Sequence, residues 1–340
     1  MLTSASNRSL HPTDPLAIFA RLQPHFRALD QFLQDQIGQF EPEIREMVAY
    51  CVDTSGKRLR PALVFFSGWQ GDSVVAEPLV RLAAVIEMVH LATLVHDDIM
   101  DRAELRRARQ TAARRFGPDT AVLVGDALFS QALHIAATFP TTDVCRHVAL
   151  STRRVCAGEI MQTLVQPGTL RDRRYYRRVI ELKTAELFFV SCRLGAHLSS
   201  DDAAFAEAAG TYGRHLGTGY QIYDDLADCF GDESKIGKTL GTDLASGKAT
   251  LPILTLLERL EPADADLLRA EMARGDHSQI GHRVGQMREL GVFDAVLATI
   301  HEEIRAATTA LAPWVETPAG QLLGQLAALL EHQAGGLRRG

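Results

Sequence analysis

This chain has no excess of basic residues. Lys and Arg number 36 against 42 Asp and Glu, a net charge of -6 over 340 residues. A general nucleic-acid binder carries a basic surplus, so no nucleic-acid partner is expected. Cysteine is scarce: the five residues Cys51, Cys145, Cys156, Cys192 and Cys229 form no C-x-x-C pair. The number is odd, which argues against a disulfide framework or a zinc site and makes the reducing cytoplasm the expected location. The N-terminal MLTSASNRSLHPTDPL has no continuous apolar run and a single Arg, so residues 1–14 read as a flexible lead-in rather than a targeting signal.

No long apolar stretch is free of charge. The most apolar one, residues 79–100, contains Arg81, Glu87, His90, His96, Asp97 and Asp98. Those groups are costly in lipid, so a buried core helix is expected there and not a membrane span. Alternating strand patterns, low-complexity linkers and composition shifts are also missing. What remains is helical periodicity. Helices are predicted over 15–37, 41–51, 59–69, 79–102, 121–137, 144–165, 175–194, 203–216, 219–230, 251–260 and 316–334, with glycine and proline between them. In the central one, Leu82, Val85, Ile86, Val89 and Thr93 recur at spacings of three and four and define an inward face. The expectation is an all-α, single-domain helical bundle over residues 15–340.

Against this ordinary background one acidic pentapeptide occurs twice, as Asp97-Asp98-Ile99-Met100-Asp101 and as Asp224-Asp225-Leu226-Ala227-Asp228. On a helix, residues four apart are separated by about 400°, close to one turn. Asp97 and Asp101 therefore share a face, as do Asp224 and Asp228. Like charges so placed weaken a helix. Each cluster also ends an apolar run, LATLV or YQIY, that leads the helix into the core, where unpaired carboxylates are expensive. A hard divalent cation resolves the conflict: Mg²⁺ takes one or two carboxylates together with substrate phosphates. Asp97, Asp98, Asp101, Asp224 and Asp228 are thus candidate metal residues, arranged to neutralise a diphosphate leaving group.

Cations stand beside these clusters. Gly56-Lys57-Arg58-Leu59-Arg60-Pro61 opens a predicted helix, a favourable place for phosphate. Arg106 and Arg107 follow the first cluster, and guanidinium forks suit phosphate oxygens. His90 lies seven residues before Asp97, two turns away on the same face. Lys183 and Thr184 sit in a helical run, and Lys238 and Lys248 lie in the glycine-rich GKTLGTDLASGKATLP, a candidate closing loop.

Taken in order, GKRLRP, HLATLVHDDIMD, LRR, GDALF, GE, KTAELF, YQIYDDLAD and GKTLGTDLASGKATLPIL resemble the trans-isoprenyl diphosphate synthases, or polyprenyl synthetases, from about Gly56 to Leu254. The resemblance implies an isoprenoid-synthase fold around a deep central cavity, usually a homodimer, and about three Mg²⁺ ions per site. It implies a transferase that condenses isopentenyl diphosphate with an allylic diphosphate by ionisation, condensation and elimination. By motif position, Asp97 and Asp101 would bind two metals and Asp224 the third. Arg106, Lys183 and Lys248 would hold the allylic diphosphate, with Lys238 closing over it. Lys57, Arg60, His90 and Arg107 would hold isopentenyl diphosphate. Thr184 and Gln221 would place oxygens near the developing cation, and the released pyrophosphate would take the final proton. Ser55, Arg102, Ala108 and Gln110 depart from the family pattern, and Arg102 is expected to pair with a metal-binding aspartate.

Residues just before the first cluster bear on product length. Ala92 and Thr93 are small, and Val89, Met88 and Val85 continue the same face without an aromatic floor. A medium- or long-chain product is expected. Phe129, Phe188 or Phe189 from another helix would instead give a shorter one, of farnesyl or geranylgeranyl type. The rival readings are a class I terpene cyclase, which keeps only one such aspartate motif, and a non-catalytic subunit, which loses aspartates from one.

Overall fold

The computed structural model describes residues 15–52, 56–72, 74–107, 109–165, 171–231, 241–276 and 278–339. In chain order the helices are α1 (Pro15–Ala20), α2 (Gln23–Ile37), α3 (Arg45–Cys51), α4 (Leu59–Ser67), α5 (Glu77–Met100), α6 (Ala112–Phe116), α7 (Pro118–Ala137) and α8 (Asp143–Thr163). There follow α9 (Arg173–Ile180), a π-helical turn (Glu181–Ala185), α10 (Glu186–Ser199) and α11 (Ala203–Phe230). The remaining helices are α12 (Thr242–Ala245), α13 (Leu251–Arg259), α14 (Pro262–Arg274), α15 (Ile280–Glu289), α16 (Val292–Ala310) and α17 (Pro318–Gly336). Two two-residue strands, β1 (Leu105–Arg106) and β2 (Arg109–Gln110), pair antiparallel as a hairpin between α5 and α6.

Local chemistry sets the boundaries. Proline occupies the first turn of α5, α7, α13, α14 and α17, where its missing N–H costs nothing. The Asp172 side chain accepts from Tyr175 N–H at 2.8 Å to start α9, and Asp202 accepts from Phe205 N–H at 2.9 Å to start α11. α5 is buried on almost every side: Leu82, Val85, Ile86, Met88 and Val89 are each at most 1% exposed. A helix apolar all round belongs at the centre of a bundle, and each such side chain contributes about 1.5–3 kcal/mol by leaving water. α5 packs against α2, α4, α7 and α10; α11 packs against α10, α16 and the π-turn; α10 closes onto α4. The all-α expectation holds, and the cavity lies inside this ring.

Four details differ from the sequence reading. A turn at Arg21–Leu22 splits the predicted 15–37 helix. The predicted break before Gly219 is absent, because α11 runs unbroken through glycines packed against neighbouring backbone. The predicted 175–194 helix contains the π-turn. The unassigned stretch from 261 to 315 forms α14, α15 and α16, the last with Val292, Val296, Ile300, Ile304 and Ala307 on its buried face.

Candidate active site

α5 and α11 bring their aspartates to one space. A cavity of about 760 Å³ is lined by Arg60, His90, Thr93, Asp97, Arg106, Arg107, Glu159, Lys183, Thr184, Gln221 and Asp224, among others. It adjoins a second of about 540 Å³, lined by Asp101, Tyr176, Asp225, Asp228 and Lys248. Met100, Glu159, Lys183, Thr184, Gln221 and Asp224 line both and form the neck between them. Asp97 and Asp224 thus stand on facing walls of a shared pocket.

The neck owes its shape to the π-turn, which carries Lys183 and Thr184. Such turns widen a helix locally and recur at functional sites. Two helices grip it at glycines. A Cβ on Gly158 of α8 would lie 2.6 Å from Lys183 N, and one on Gly217 of α11 would lie 2.7 Å from Ala185 Cα. Only hydrogen fits at either contact.

Electrostatics follow from burial. Burial raises the Asp97 carboxyl to about 6; Lys183 and Arg106 oppose the rise, and Glu159 and Asp101 add to it. Lys183 Nζ lies 2.5 Å from Glu159 Oε2. Burial, then the nearby Arg60, Arg107 and Arg106, hold the His90 imidazole well below its ordinary value, so it is neutral. Arg60 Nη1 lies 3.0 Å from His90 Nε2; guanidinium only donates, so that nitrogen accepts and the ring proton sits on Nδ1. Arg60 Nε is buried with no hydrogen-bond partner among the described residues. Thr184 Oγ1 donates to Gln221 Oε1 at 2.8 Å, and Gln221 Nε2 donates to Asp225 Oδ1 at 2.8 Å. Burial, and then Asp243, push the Asp225 carboxyl well up, while its bonds from Tyr176 and Gln221 pull it back.

The structure places the remaining expected site residues at varying distances from the two cavities. Asp98 is one residue, about 100°, round the helix from Asp97. It lines neither main cavity and is held at both oxygens by Arg106 Nε, at 2.8 and 3.0 Å. Asp228 borders the second cavity, but its oxygens accept from Thr242 Oγ1 at 2.8 Å and Asp243 N–H at 3.0 Å, which staples the following turn to α11. Lys57 lines a pocket of about 240 Å³ with Phe19, Leu59, Phe188 and Tyr220; Tyr220 also lines the main cavity. Arg107 does reach back to the 56–61 segment: its guanidinium lies 2.8 Å from where a Cβ on Gly56 would stand. Of the four chain-length residues only Thr93 lines the cavity; Ala92, Met88 and Val89 are packed behind it. Arg102 has a left-handed φ of 51° and makes no ion pair with Asp97, Asp98 or Asp101. Lys248 approaches Asp101 instead, at 3.9 Å. Lys238, Ser55 and Ala108 lie outside the described residues.

The sequence reading left three residues of the site without a role: Glu159, Tyr176 and Asp225. Tyr176 had a signal, since Tyr176, Val179 and Ile180 form the only inward stripe in the arginine-rich RRYYRRVI.

Comparison with known proteins decides the class. The polyprenyl synthetase profile matches residues 41–285. This chain belongs to the polyprenyl synthetase family. It is 31% identical to an all-trans-nonaprenyl-diphosphate synthase (geranyl-diphosphate specific) of Rhodobacter capsulatus, over 92% of this chain and 96% of that protein. It is also 31% identical to the octaprenyl diphosphate synthase of Escherichia coli K12, over 84% and 88%. A polyprenyl synthase from Caulobacter crescentus, solved with calcium and isoprenyl diphosphate, superposes with a TM-score of 0.85 at 27% identity, over 96% of this chain and 99% of that one. A decaprenyl diphosphate synthase from R. capsulatus gives 0.84 at 28%, over 94% and 98%. As a polyprenyl synthetase the protein is a prenyltransferase of a metal-dependent family.

Proposed function

We propose that this polyprenyl synthetase condenses isopentenyl diphosphate with an allylic diphosphate to give an all-trans polyprenyl diphosphate of medium or long chain. The observation that carries the reading is the pair of joined cavities, with Asp97 and Asp224 on facing walls and Lys183, Thr184 and Gln221 at the neck. Oxygen donors suit Mg²⁺. No three His, Cys, Asp or Glu side chains among the described residues are gathered closely enough to hold a metal unaided. That fits ions bound jointly by carboxylates and diphosphate oxygens rather than in a protein cage. Asp97, Asp101 and Asp224 would hold about three such ions, whose positive charge stabilises the departing diphosphate.

The chain's own groups supply the rest. Arg106 from the first cavity, Lys183 at the neck and Lys248 from the second cavity orient the allylic diphosphate between them, with Lys238 closing over it. Arg60 and Arg107, which line the first cavity with neutral His90, hold isopentenyl diphosphate together with Lys57. Oxygens of Thr184 and Gln221 face the carbon that becomes cationic, and apolar walls keep water from it. The C–O bond to diphosphate breaks, a C–C bond forms, and the proton lost passes to the released pyrophosphate.

We further infer a homodimer, one domain spanning 15–340 in each copy, and a cytoplasmic protein that does not span a membrane. α7 leaves Val122, Leu123 and Leu133 exposed at 41%, 67% and 37%, an apolar face suited to a second copy. Helices α5 and α7 are both long and apolar enough to cross a membrane; α5 lies in the core and α7 packs one side against it. A shorter product is the second reading, favoured by one observation: Phe129 lines the main cavity.

The test is incubation of purified protein with Mg²⁺, radiolabelled isopentenyl diphosphate and geranyl, farnesyl or geranylgeranyl diphosphate, followed by chromatography of the dephosphorylated products. Linear alcohols longer than geranylgeraniol are expected. A cyclic hydrocarbon formed without isopentenyl diphosphate would establish a cyclase instead. Complete inactivity would point to a partner subunit.

A further inference from the structure

Two residues that line the second cavity are joined to the neck by an unbroken chain of hydrogen bonds. Tyr176 Oη, on α9, donates to Asp225 Oδ2 at 2.6 Å. Gln221 Nε2 donates to Asp225 Oδ1 at 2.8 Å, and Thr184 Oγ1 donates to Gln221 Oε1 at 2.8 Å. Tyr176 is 9% exposed and Asp225 is 5% exposed.

The direction of this chain has chemical content. The tyrosine hydroxyl engages Oδ2, and Gln221 takes Oδ1 as its acceptor. Of the two ends of an amide only NH₂ donates, so that end turns to Asp225 and the carbonyl turns to Thr184. The threonine hydroxyl has one proton, and it is spent on that carbonyl. Thr184 retains only lone pairs for the cavity; Gln221 turns its carbonyl, with its remaining lone pair, to the Thr184 side and keeps both amide N–H groups on the Asp225 side. Were the amide reversed, NH₂ would face Thr184 and the hydroxyl proton would be free to point into the cavity. Beside a carbon gaining positive charge, in a site shielded from water, oxygen and hydrogen have opposite effects.

We propose that Tyr176 and Asp225 are positioning residues that lock the polarity of Gln221 and Thr184, so that oxygen lone pairs face the allylic carbon as it becomes cationic. Neither touches that carbon. The proposal rests on the prenyltransferase reading above. Both residues lie outside the set expected to hold metal or diphosphate.

The experiment uses the full-length enzyme with Mg²⁺, geranyl diphosphate and isopentenyl diphosphate. Tyr176→Phe keeps the ring and removes the hydroxyl. It is expected to lower kcat about tenfold while both KM values stay within about twofold, because the loss falls on the transition state and not on binding. In a Gln221→Leu background, which has no amide to orient, the same change is expected to cost nothing further. A purely structural link between α9 and α11 would instead lower the thermal midpoint and add its loss in both backgrounds. The second position gives an independent reading. Asp225→Asn retains an acceptor oxygen for Gln221, and its NH₂ can donate to Tyr176 Oη. It is expected to keep roughly tenfold more of kcat than Asp225→Ala. Normal kcat in Tyr176→Phe, additive losses in the double variant, or equal losses in the two Asp225 variants would each overturn the proposal. If the wild-type protein fails to incorporate isopentenyl diphosphate, it is the prenyltransferase reading that fails.

Discussion

Lys183 Nζ sits 2.5 Å from Glu159 Oε2, so the lysine of the π-turn is already engaged by a carboxylate from α8. Glu159 also contributes to the elevation of Asp97. The three groups form one electrostatic unit at the neck, and a change at Glu159 reaches both of the others.

That coupling predicts a pH effect. Asp97 titrates at about 6 and must be ionised to serve as a metal ligand. Activation by Mg²⁺ is therefore expected to strengthen as pH rises through about 6 in the wild type. Glu159→Gln removes a charge that raises Asp97 and releases Lys183, whose charge lowers it. Both changes act in the same direction, so the acid limb moves to lower pH. Mg²⁺ activation measured from pH 5 to 8 checks this; an unmoved limb would mean that another group sets it.

Asp97 also links pH to stability, and the sign is opposite to that of a salt-bridged carboxylate. Its folded value of about 6 lies above the ordinary 3.8, so the folded state binds the proton more tightly. Stability is lost as pH rises from about 4 to about 6 and does not return at pH 7. In metal-free protein, Asp97→Asn is expected to gain up to about 3 kcal/mol at pH 7 and little at pH 4. Urea denaturation at the two pH values reads the difference. Turnover behaves in the opposite way: Asp97→Ala and Asp224→Ala are expected to lower it by orders of magnitude with the helical circular dichroism unchanged.

The two glycines against the π-turn make a packing prediction. Gly158→Ala and Gly217→Ala place a methyl within 2.6 Å of Lys183 N and 2.7 Å of Ala185 Cα. Backbone has to shift to admit it, at a cost of about 1–3 kcal/mol. Since the backbone that moves carries Lys183 and Thr184, kcat is expected to fall by more than the loss of folded protein accounts for. Steady-state kinetics at 10 °C below each variant's melting midpoint would separate the two effects, using roughly this margin because a kilocalorie shifts Tm by a few degrees.

What the sequence made legible was set by periodicity. The spacing of Asp97 and Asp101 at the end of an apolar run put them one turn apart; in the structure Asp97 lies in the last turn of α5 and Asp101 caps it, its N–H bonded to the Asp97 carbonyl at 2.8 Å. α11 was read as two helices because glycine ordinarily interrupts a helix. What holds α11 straight is contact between Gly217 and Ala185, residues far apart in sequence, and no local rule carries that. The π-turn left no mark for the same reason: Glu181 to Ala185 contain neither glycine nor proline. Asp98 was assigned to the metal set as a member of the first acidic cluster. A helix turns by about 100° per residue, so neighbours in sequence face different spaces. The role of Tyr176 depends on Asp225 across the bundle, which only the tertiary structure supplies.

Product length separates residues that line the cavity from residues that merely precede the aspartates. Thr93 and Phe129 border the space, with the Phe129 ring 5.9 Å from that of His96, whereas Ala92 is 0% exposed and lines neither main cavity. Phe129→Ala enlarges the cavity and is expected to shift products to longer chains. Thr93→Phe fills it and is expected to shift them to shorter ones. Ala92→Phe stands at neither main cavity; it overpacks the core, at about 1–3 kcal/mol or more, and is expected to lower Tm without a matching move in the product distribution. Reverse-phase chromatography of the dephosphorylated products, with a melting curve for each variant, checks all three. If Ala92→Phe shortened the chains while Thr93→Phe did not, the product would run behind α5 and not along the wall that Thr93 and Phe129 share.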